Sequence, residues 1–275
     1  MTTVRGALDR AAERLRAAGC ESPRPDAELL LGHVLGVSRA ELYAGTRRSL
    51  SSDELVGFEE LVERRERREP LAYVLGEWGF RRLTLHVDRR ALVPRPETEV
   101  VVERCLELLR GLDAPRVLDI GTGSGAIALA IAHEHPGACV TGVDVSEDAL
   151  ALAHENAARL ELDVELERRD LFDGLPGGPW DLVVSNPPYV GPTEVDALEP
   201  EVRDWEPRGA LVGKGATDAV ARLARAVLDP GGALVLEVAD GTAAGIAALL
   251  SGLGYRGVHV TPDLAGRDRV VEARL

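Results

Sequence analysis

The second half of the chain alternates short apolar runs with stretches of helical spacing, and this alternation limits the possible folds more than any other feature. The strand-like runs are "RVLDI", "CVTGVDV", "DVELERRD", "WDLVVSN" and "GALVLEVAD", and helical stretches begin at Ser124, Glu147, Thr217 and Gly241. Strands that alternate with helices form a mostly parallel sheet covered on both faces. The sequence therefore predicts an α/β fold. The last two runs, "RGVHV" and "RVVEARL", have no helical stretch between them, so we expect an antiparallel pair at one edge.

The beginning of the chain has a different pattern, in which apolar residues such as Leu8, Leu15 and Phe58 recur at helical spacing. Ser38 and Ser51 are typical helix N-caps, and "SSDE" has the spacing of a capping box. The run "ERRERRE" interleaves both signs of charge, which indicates a solvated helix face. We predict a small all-helical domain over residues 1–68.

Residues 69–98 connect the two patterns. They contain "AYVLGEWGF" and "LTLHVDRRALVPR", which alternate with the short period of strands, and Gly76 and Gly79 mark a turn. We predict a linker β-hairpin over residues 69–98, followed by one sheet domain over residues 99–275.

Charge and hydropathy argue against two classes of partner. The chain carries 46 acidic and 32 basic residues, for a net charge of −14, so a uniformly basic nucleic-acid footprint is absent. No segment approaches the roughly 20 apolar residues of a membrane span, and the first residues lack the apolar run of a signal peptide. We expect a cytoplasmic protein with no direct nucleic-acid partner and no membrane association.

The sequence offers no metal-binding pattern. Cys20, Cys105 and Cys139 are far apart and lack the paired spacing of metal ligands or redox pairs, so we expect reduced thiols. In "HEH", His133 and His135 stand two positions apart at a helix end, where their side chains point in different directions. We expect a solvated surface there and no metal.

A glycine-rich stretch follows the first strand of the predicted sheet. In "LDIGTGSGAIAL", Gly121, Gly123 and Gly125 stand between an apolar strand and a helix, where ligands of such sheets bind. Glycine allows a sharp turn and a close approach of the backbone to a ligand, although a purely structural turn is the alternative. The spacing differs from that of dinucleotide-binding loops, and the lysine of a P-loop is absent.

Three carboxylates stand at or after the ends of the first three strands. Asp119 precedes the glycines and suits a cationic group better than a pyrophosphate. Asp144 ends the second strand, where a carboxylate binds both ribose hydroxyls. Asp170 follows the third strand, where it would bind an adenine amino group or else cap a helix. A nucleoside that carries positive charge fits this set, and the predicted cofactor is S-adenosylmethionine, with S-adenosylhomocysteine as product.

The fourth strand ends in "NPPY", which is Asn186, Pro187, Pro188 and Tyr189. Two prolines stiffen the backbone and force extended geometry on Asn186. The Asn186 side-chain oxygen and the Pro187 carbonyl are two acceptors that can bind an NH2 group, and Tyr189 can stack on a flat target. A structural turn is the alternative, but the position beside a methyl donor favours methylation of a planar amine or amide.

These residues resemble those of a known family. "DIGTGSGAIAL", "GVDVS" and "NPPYV" are similar to amino-methyltransferases, and "REPLAYVLGEWGFRRLTLHVDRRALVPRPETE" resembles a linker specific to release factor glutamine methyltransferases (PrmC/HemK). "DAELLLGHVLG", "EPRGALVG" and "DLAGRDRVVEARL" also fit, so the resemblance covers almost the whole chain. The glycine loop alone is weakly specific, whereas "VPRPETE" and "NPPY" in this order are strongly specific. The resemblance implies a Rossmann-like class I SAM-dependent methyltransferase sheet with a small N-terminal helical domain. Because this helical domain lies outside the donor-binding sheet, we expect it to dock the protein substrate.

The activity implied is methylation of the glutamine side-chain amide in the Gly-Gly-Gln loop of peptide chain release factors, which act in translation termination. The resemblance assigns Asn186 to Tyr189 to the glutamine and the following residues to the donor: Gly121, Thr122, Gly123, Gly125, Asp144 and Asn186. Leu171 stands where some members have Trp and would border the adenine. After "LEVADG" this chain has "TAAG" where some members have Gln.

Three other functions share parts of this pattern. An adenine-amine methyltransferase acting on DNA or RNA would use the same "NPPY" chemistry, but it needs a target-recognition domain and basic clefts. An NAD-dependent oxidoreductase is disfavoured by the glycine spacing. A non-catalytic donor-binding module is disfavoured because the acceptor motif is intact.

Overall fold

The structure is a computed structural model that describes residues 2–213 and 215–275. Contacts divide the chain into two compact units. The first consists of Met1–Gly76 and Glu199–Trp205, and the second of Glu77–Leu198 and Glu206–Leu275. This division differs from the predicted boundaries at residues 68 and 98. The reason is local: the helix that follows residue 68 packs in the first unit, whereas the hairpin after it belongs to the second.

The first unit is helical, as the spacing predicts. Its helices are α1 (Val4–Ala17), α2 (Pro23–Leu35), α3 (Arg39–Ala44), α4 (Ser52–Glu66) and α5 (Leu71–Leu75), with α9 (Pro200–Arg203) in the later segment. Ser38 and Ser51 are the N-caps of α3 and α4, and both form complete capping boxes. The core of the unit includes Leu15, Leu30 and Phe58, all fully buried.

Two predictions for this region are wrong. Residues 71–75 are helical although "AYVL" alternates like a strand, because a run of four residues is too short to separate the two periods. Within "ERRERRE", Arg65 is buried rather than solvated, and it pairs with Asp26 and Glu201. The alternating charges of this run therefore serve ion pairs inside the unit.

The second unit contains a two-stranded hairpin and a seven-stranded sheet. The hairpin is β1 (Glu77–Phe80) and β2 (Leu83–His86). The sheet strands are β3 (Arg116–Ile120), β4 (Cys139–Asp144), β5 (Glu165–Arg168), β6 (Trp180–Ser185), β7 (Leu228–Glu237), β8 (Arg256–Pro262) and β9 (Asp268–Arg274). Their order is β5-β4-β3-β6-β7-β9-β8. Strands β3 to β7 are parallel, and β9 is antiparallel to both β7 and β8, which confirms the predicted pairing at one edge.

Helices of the second unit are α6 (Pro96–Leu108), α7 (Ala126–Glu134), α8 (Glu147–Leu160), α10 (Arg208–Leu211), α11 (Ala216–Val227) and α12 (Ala243–Gly252). The four helical stretches predicted after the strands are present and begin within two residues of the expected positions. Helix α6 is absent from the sequence prediction. Pro96 occupies its first turn, a position that proline favours, so "RPETE" was a usable start signal.

Alternate residues of β3 face opposite sides of the sheet. Leu118 and Ile120 pack with Val220 and Ala224 of α11. Asp119 lies on the other side, where α6 and its buried Cys105 pack. Both faces are therefore covered, as predicted. The chain leaves β3 for β4 on one side and β6 lies on the other, so β3 is the switch point where ligands of such sheets bind.

Candidate active site

A cavity of about 630 Å³ opens beyond the carboxyl ends of β3, β4 and β6. Its wall is built from residues 90–95, 120–124, 143–146, 169–172, 185–188 and parts of 207–220. The size falls within the range of small-molecule sites. The glycine loop and the "NPPY" turn, which are far apart in sequence, therefore meet at one cavity.

The glycine loop turns sharply after β3. Gly121, Gly123 and Gly125 all have positive φ (74°, 57° and 83°), a region that other residues adopt only at a cost. The backbone N–H groups of Gly121 and Thr122 donate to the Val143 carbonyl at 2.8 and 3.0 Å, which ties the loop to β4. The loop thus presents bare backbone to the cavity at Gly121 and Gly123, whereas Gly125 is absent from the wall, and a Cβ added there would meet Leu129 and Ala153.

Asp119 anchors this loop from behind. It is fully buried, its Oδ2 accepts a hydrogen bond from the Thr122 hydroxyl at 2.7 Å, and it is absent from the cavity wall. Burial raises the pKa of Asp119 to about 7, while the Thr122 hydroxyl and the Ala128 backbone N–H favour the ionised form. Thr122 also needs Gly142 beneath it, because a Cβ there would come within 2.8 Å of Thr122 Oγ1. This geometry therefore disfavours direct contact between Asp119 and a ligand.

Asp144 lines the cavity at the end of β4. Its Oδ2 accepts from the backbone N–H of Gly123 and its Oδ1 from that of Ser146, both at 2.9 Å. Each carboxylate oxygen keeps a second lone pair for a ligand. The two backbone bonds hold the carboxylate in place beside the glycine loop.

The far end of the cavity is formed after β5. Asp170 is exposed, and its Oδ1 accepts from the Phe172 backbone N–H at 2.9 Å, so it caps a short 3-10 turn as well as lining the cavity. Leu171 is half-buried against the main core. Its neighbour Phe172 lines the cavity and is 73% exposed. An aromatic ring is therefore available here, one residue after the position where the sequence lacks Trp.

Several contacts hold the "NPPY" turn. The Ser185 hydroxyl donates to the Ile120 carbonyl at 2.7 Å and so joins the ends of β6 and β3. Val190 forms a parallel bridge with Val212, and its N–H donates to the Leu211 carbonyl at 3.0 Å. Asn186, Pro187 and Pro188 line the cavity.

Tyr189 lies elsewhere. Its ring is 41% exposed and it is absent from the cavity wall. Burial of its phenol, together with the nearby Glu237 carboxylate, raises its pKa. The structure thus brings three of the four "NPPY" side chains to the cavity and leaves the fourth beside a cluster of charges.

Asn186 is linked to α6 and β7. Its Nδ2 donates to Thr98 Oγ1 at 3.4 Å, and the Thr98 hydroxyl donates to Glu237 Oε2 at 2.6 Å. Thr98 and Glu237 are 5% and 1% exposed. Burial raises the pKa of Glu237 to about 7, opposed by the Thr98 hydrogen bond. Neither residue was a candidate from the sequence, because nothing local connects positions 98, 186 and 237.

The sequence analysis also missed the wall formed by residues 90–95, which it treated as linker. Arg90 pairs with Asp88 and Glu155 at one end of this stretch. Arg95 binds both carboxylate oxygens of the buried Glu206 at 2.7 Å at the other end. The stretch is therefore pinned at both ends, and the signal for it was the "VPRPETE" motif itself.

The remaining sequence expectations concern metals, thiols and membranes. In residues 2–213 and 215–275 no group of three or more potential metal ligands is found. Cys20, Cys105 and Cys139 are free thiols, the first two buried. None of the helices in the described part of the chain combines the length and apolar character needed to cross a bilayer.

The fold is that of the S-adenosylmethionine-dependent methyltransferases. A methyltransferase from Pyrococcus furiosus superposes with a TM-score of 0.53 at 21% identity, covering 69% of this chain and 87% of that one. A 16S rRNA N2 G1207 methyltransferase from T. Thermophilus, solved with AdoMet and guanosine, has a TM-score of 0.53 at 20% identity, covering 72% of this chain and 49% of that one. At these identities the likeness shows the fold alone.

Sequence comparison defines the family. A PrmC N-terminal domain model matches residues 6–76, and a methyltransferase small domain model matches residues 99–199. The release factor glutamine methyltransferase of Deinococcus radiodurans is 44% identical over 276 residues, covering 98% of each chain. That of Rhodopirellula baltica is 42% identical over 282 residues, covering 98% of this chain and 95% of the relative. The chain belongs to the release factor glutamine methyltransferase family, which confirms the resemblance.

Proposed function

We propose that this protein methylates the side-chain amide nitrogen of the glutamine in the Gly-Gly-Gln loop of peptide chain release factors, with S-adenosylmethionine as donor. The observation that carries the proposal is one cavity that brings together the glycine loop, Asp144 and Asn186. The relatives at 42 to 44% identity bear the name of this activity.

The residues present fit the donor. Bare loop backbone at Gly121 and Gly123 leaves room for a ligand, since a Cβ added at Gly121 would meet no atom within 4 Å. Asp144 would bind the ribose hydroxyls with its remaining lone pairs, and Asp170, Leu171 and Phe172 would border the adenine. Asp119 would act through Thr122 by fixing the loop. Bound S-adenosylmethionine supplies an electrophilic methyl group.

The "NPPY" turn would hold the acceptor. Asn186 Oδ1 and the Pro187 carbonyl would accept hydrogen bonds from the glutamine NH2 group and orient its nitrogen toward the methyl group. Neutral acceptors stabilise the positive charge that develops on this nitrogen without binding the product too tightly. Pro188 would keep the turn rigid, and Tyr189, which is absent from the cavity wall, would contact the substrate loop outside the cavity. The methylated amide releases one proton to solvent.

The helical first unit would dock the release factor. The PrmC N-terminal domain model matches residues 6–76, and none of the unit's described residues lines the cavity. The partner is therefore a protein, and neither nucleic acid nor membrane is part of the proposal. Location in the cytoplasm is consistent with a release factor as substrate.

Mass spectrometry of a purified release factor incubated with this protein and S-adenosylmethionine tests the proposal. We expect one added methyl group on the glutamine of the Gly-Gly-Gln loop. A release factor with glutamate at that position is the matched control and should remain unmodified. Adenine-containing DNA and RNA oligonucleotides test the alternative substrate class, and their methylation in place of the release factor would refute the proposal.

A further inference from the structure

A short hydrogen-bond chain runs from the candidate acceptor residue to a buried carboxyl group. Asn186 Nδ2 donates to Thr98 Oγ1 at 3.4 Å, and the Thr98 hydroxyl donates to Glu237 Oε2 at 2.6 Å. The three residues come from the end of β6, the start of α6 and the end of β7. These hydrogen bonds therefore join three elements at the cavity, where Thr98 and Asn186 line the wall and Glu237 lies behind it.

The direction of these bonds fixes the orientation of the Asn186 amide. Above its pKa of about 7, Glu237 is ionised and only accepts hydrogen bonds, so the single hydroxyl proton of Thr98 is then committed to Glu237. Toward Asn186, the Thr98 oxygen then offers only a lone pair, and the Asn186 NH2 group must face it. The other half of the amide, Oδ1, is left for the cavity. The NH2 and oxygen ends of an amide have nearly the same size, so hydrogen bonding rather than shape decides between the two orientations.

We propose that Thr98 and Glu237 are positioning residues that hold the Asn186 amide with its oxygen toward the cavity, so that the site selects a target group with N–H donors. The proposal deepens the proposed function and rests on it for the identity of the target. It explains selection of glutamine over glutamate, because a glutamate carboxylate would meet an acceptor where the glutamine NH2 finds a partner.

The residue type at position 237 distinguishes positioning of Asn186 from a merely structural link between α6 and β7. Glu237 is 1% exposed, and burial of its charge is unfavourable. Arg95 and Glu97 near the start of α6, Arg269 of β9 and Tyr189 are the charged or titratable groups that act on it. A glutamine would provide the same link to Thr98 without a buried charge. The glutamine NH2 group can also donate to Thr98, however, so this substitution would no longer fix the direction of the two hydrogen bonds.

The first test measures substrate preference. Gly-Gly-Gln and Gly-Gly-Glu peptides would be titrated by calorimetry in the presence of S-adenosylhomocysteine, using the full-length protein. We expect the wild type to prefer the glutamine peptide and Glu237→Gln to reduce that preference at least tenfold. Thr98→Val, whose side chain has no hydrogen-bond acceptor, should reduce the preference for the glutamine peptide to the same extent. Thr98→Ser, which keeps the hydroxyl, should retain the wild-type preference.

A matched control is Glu272→Gln. Glu272 is also buried and also joins the sheet to α6, but its partner is Arg104 at 2.7 Å, whereas the partner of Glu237 is Thr98. Its substitution should leave the peptide preference unchanged even if the melting temperature falls. An unchanged preference in Glu237→Gln and Thr98→Val, with both variants folded and binding S-adenosylhomocysteine, would overturn the proposal.

A second readout does not depend on the substrate. The side-chain amide signals of Asn186, assigned by their loss in Asn186→Ala, report its hydrogen bonds in ¹⁵N spectra. We expect them to shift in Glu237→Gln and Thr98→Val but not in Glu272→Gln. Unmoved signals in the first two variants would refute the positioning role. Failure of the wild type to methylate a release factor would instead refute the proposed function.

Discussion

At the scale of single residues, the site depends on side chains whose hydrogen bonds within the protein leave one defined group for a ligand. Asp144 accepts from two backbone N–H groups and keeps a lone pair on each oxygen. Asn186 gives its NH2 group to Thr98 and keeps its oxygen. Such preorganisation places acceptors before a ligand arrives, which is the arrangement that electrostatic catalysis requires.

Donor binding should depend on Asp144. Asp144→Ala removes a charge-assisted pair with the ribose hydroxyls, so we expect a loss of about 2 kcal/mol in donor affinity. Calorimetry with S-adenosylhomocysteine measures this loss. Asp170→Ala provides a comparison at an exposed position, where the effect should be smaller. Unchanged affinity in Asp144→Ala would remove this residue from the donor site.

Turnover should depend on Asn186. Asn186→Ala removes one preorganised acceptor, so we expect kcat to fall by roughly 10² to 10³-fold while donor affinity falls less. Tyr189→Phe should have a modest effect, and Tyr189→Ala should mainly raise KM for the release factor. A structural role for the turn predicts the opposite for Asn186→Ala, namely a lower melting temperature with normal turnover per folded molecule.

Stability should depend on pH through Asp119. Its pKa in the folded protein is raised to about 7 from an ordinary value of 3.8, so the folded state binds the proton more tightly between these values. The resulting stability is fully present below the lower value and is lost as pH rises through the higher one, by up to about 1.4 kcal/mol per pH unit. Asp119→Asn cannot ionise, so its free energy of unfolding in urea should depend less on pH over this window. Parallel pH profiles for the two proteins would contradict the expected buried carboxyl group.

Sequence reasoning reached the residues that carry local signals. Gly121, Asp144 and Asn186 follow apolar strands, and the structure brings all three to one cavity. It could not reach Thr98 or Glu237, because their relation to Asn186 exists only once α6 and β7 pack together. Sequence reasoning singled out Asp119 as the acidic residue before the glycines, but it did not predict where the side chain points. The alternation of side chains along β3 turns Asp119 away from the cavity.

At the scale of elements, the "NPPY" turn is held by the segment that follows α10. Gly213 packs so closely that a Cβ there would lie 2.4 Å from both Cγ and the carbonyl oxygen of Pro188. The bridge between Val190 and Val212 fixes this contact. The turn is thus supported from both sides, and "EPRGALVG" is a structural partner of "NPPY".

Gly213→Ala should therefore displace the turn. Real Cβ contacts are never this short, so either Pro188 or the segment after α10 must move, and we expect kcat to fall at least tenfold. Gly245→Ala is the matched control, because Gly245 lies in α12 with no atom within 4 Å of an added Cβ. That substitution should be neutral or slightly stabilising. Wild-type turnover in folded Gly213→Ala would show that the turn tolerates the shift.

Strand order illustrates what patterns in sequence predict about elements. Apolar runs such as "WDLVVSN" identify buried parallel strands, and the absence of a helix between the last two runs predicts their antiparallel pairing. The insertion of β9 between β7 and β8 has no local signal, because both orders satisfy the same hydrophobic pattern. The short helix α5 was missed for a related reason, since five residues carry too little periodicity.

At the scale of the whole molecule, the helical unit is discontinuous in sequence. The segment Glu199–Trp205, which follows the "NPPY" turn by ten residues, belongs to the first unit. Glu201 in this segment binds Arg65 at 2.8 Å and Arg68 at 2.6 Å. Since Arg65 also pairs with Asp26, the segment is fixed by a buried ion-pair network within that unit.

Removal of residues 1–76 should therefore have two separable effects. A chain starting at Glu77 keeps every residue of the cavity wall, so we expect it to bind S-adenosylhomocysteine if it folds. It lacks the proposed docking unit, so methylation of an intact release factor should fall at least tenfold more than methylation of a short Gly-Gly-Gln peptide. It also leaves Glu201 without Arg65 and Arg68, so the segment that follows the "NPPY" turn in sequence loses its ion pairs.

Full-length Glu201→Gln isolates the second of these effects, because it weakens the same ion pairs while all helices of the first unit remain. If docking is the function of the helical unit, Glu201→Gln should change the rates for release factor and peptide by the same factor, whereas the truncated chain should lose the release factor selectively. Steady-state rates with both substrates, measured on the same preparations, give the two ratios. An equal loss for both substrates in the truncated chain would mean that the unit supports the fold rather than recognises the partner.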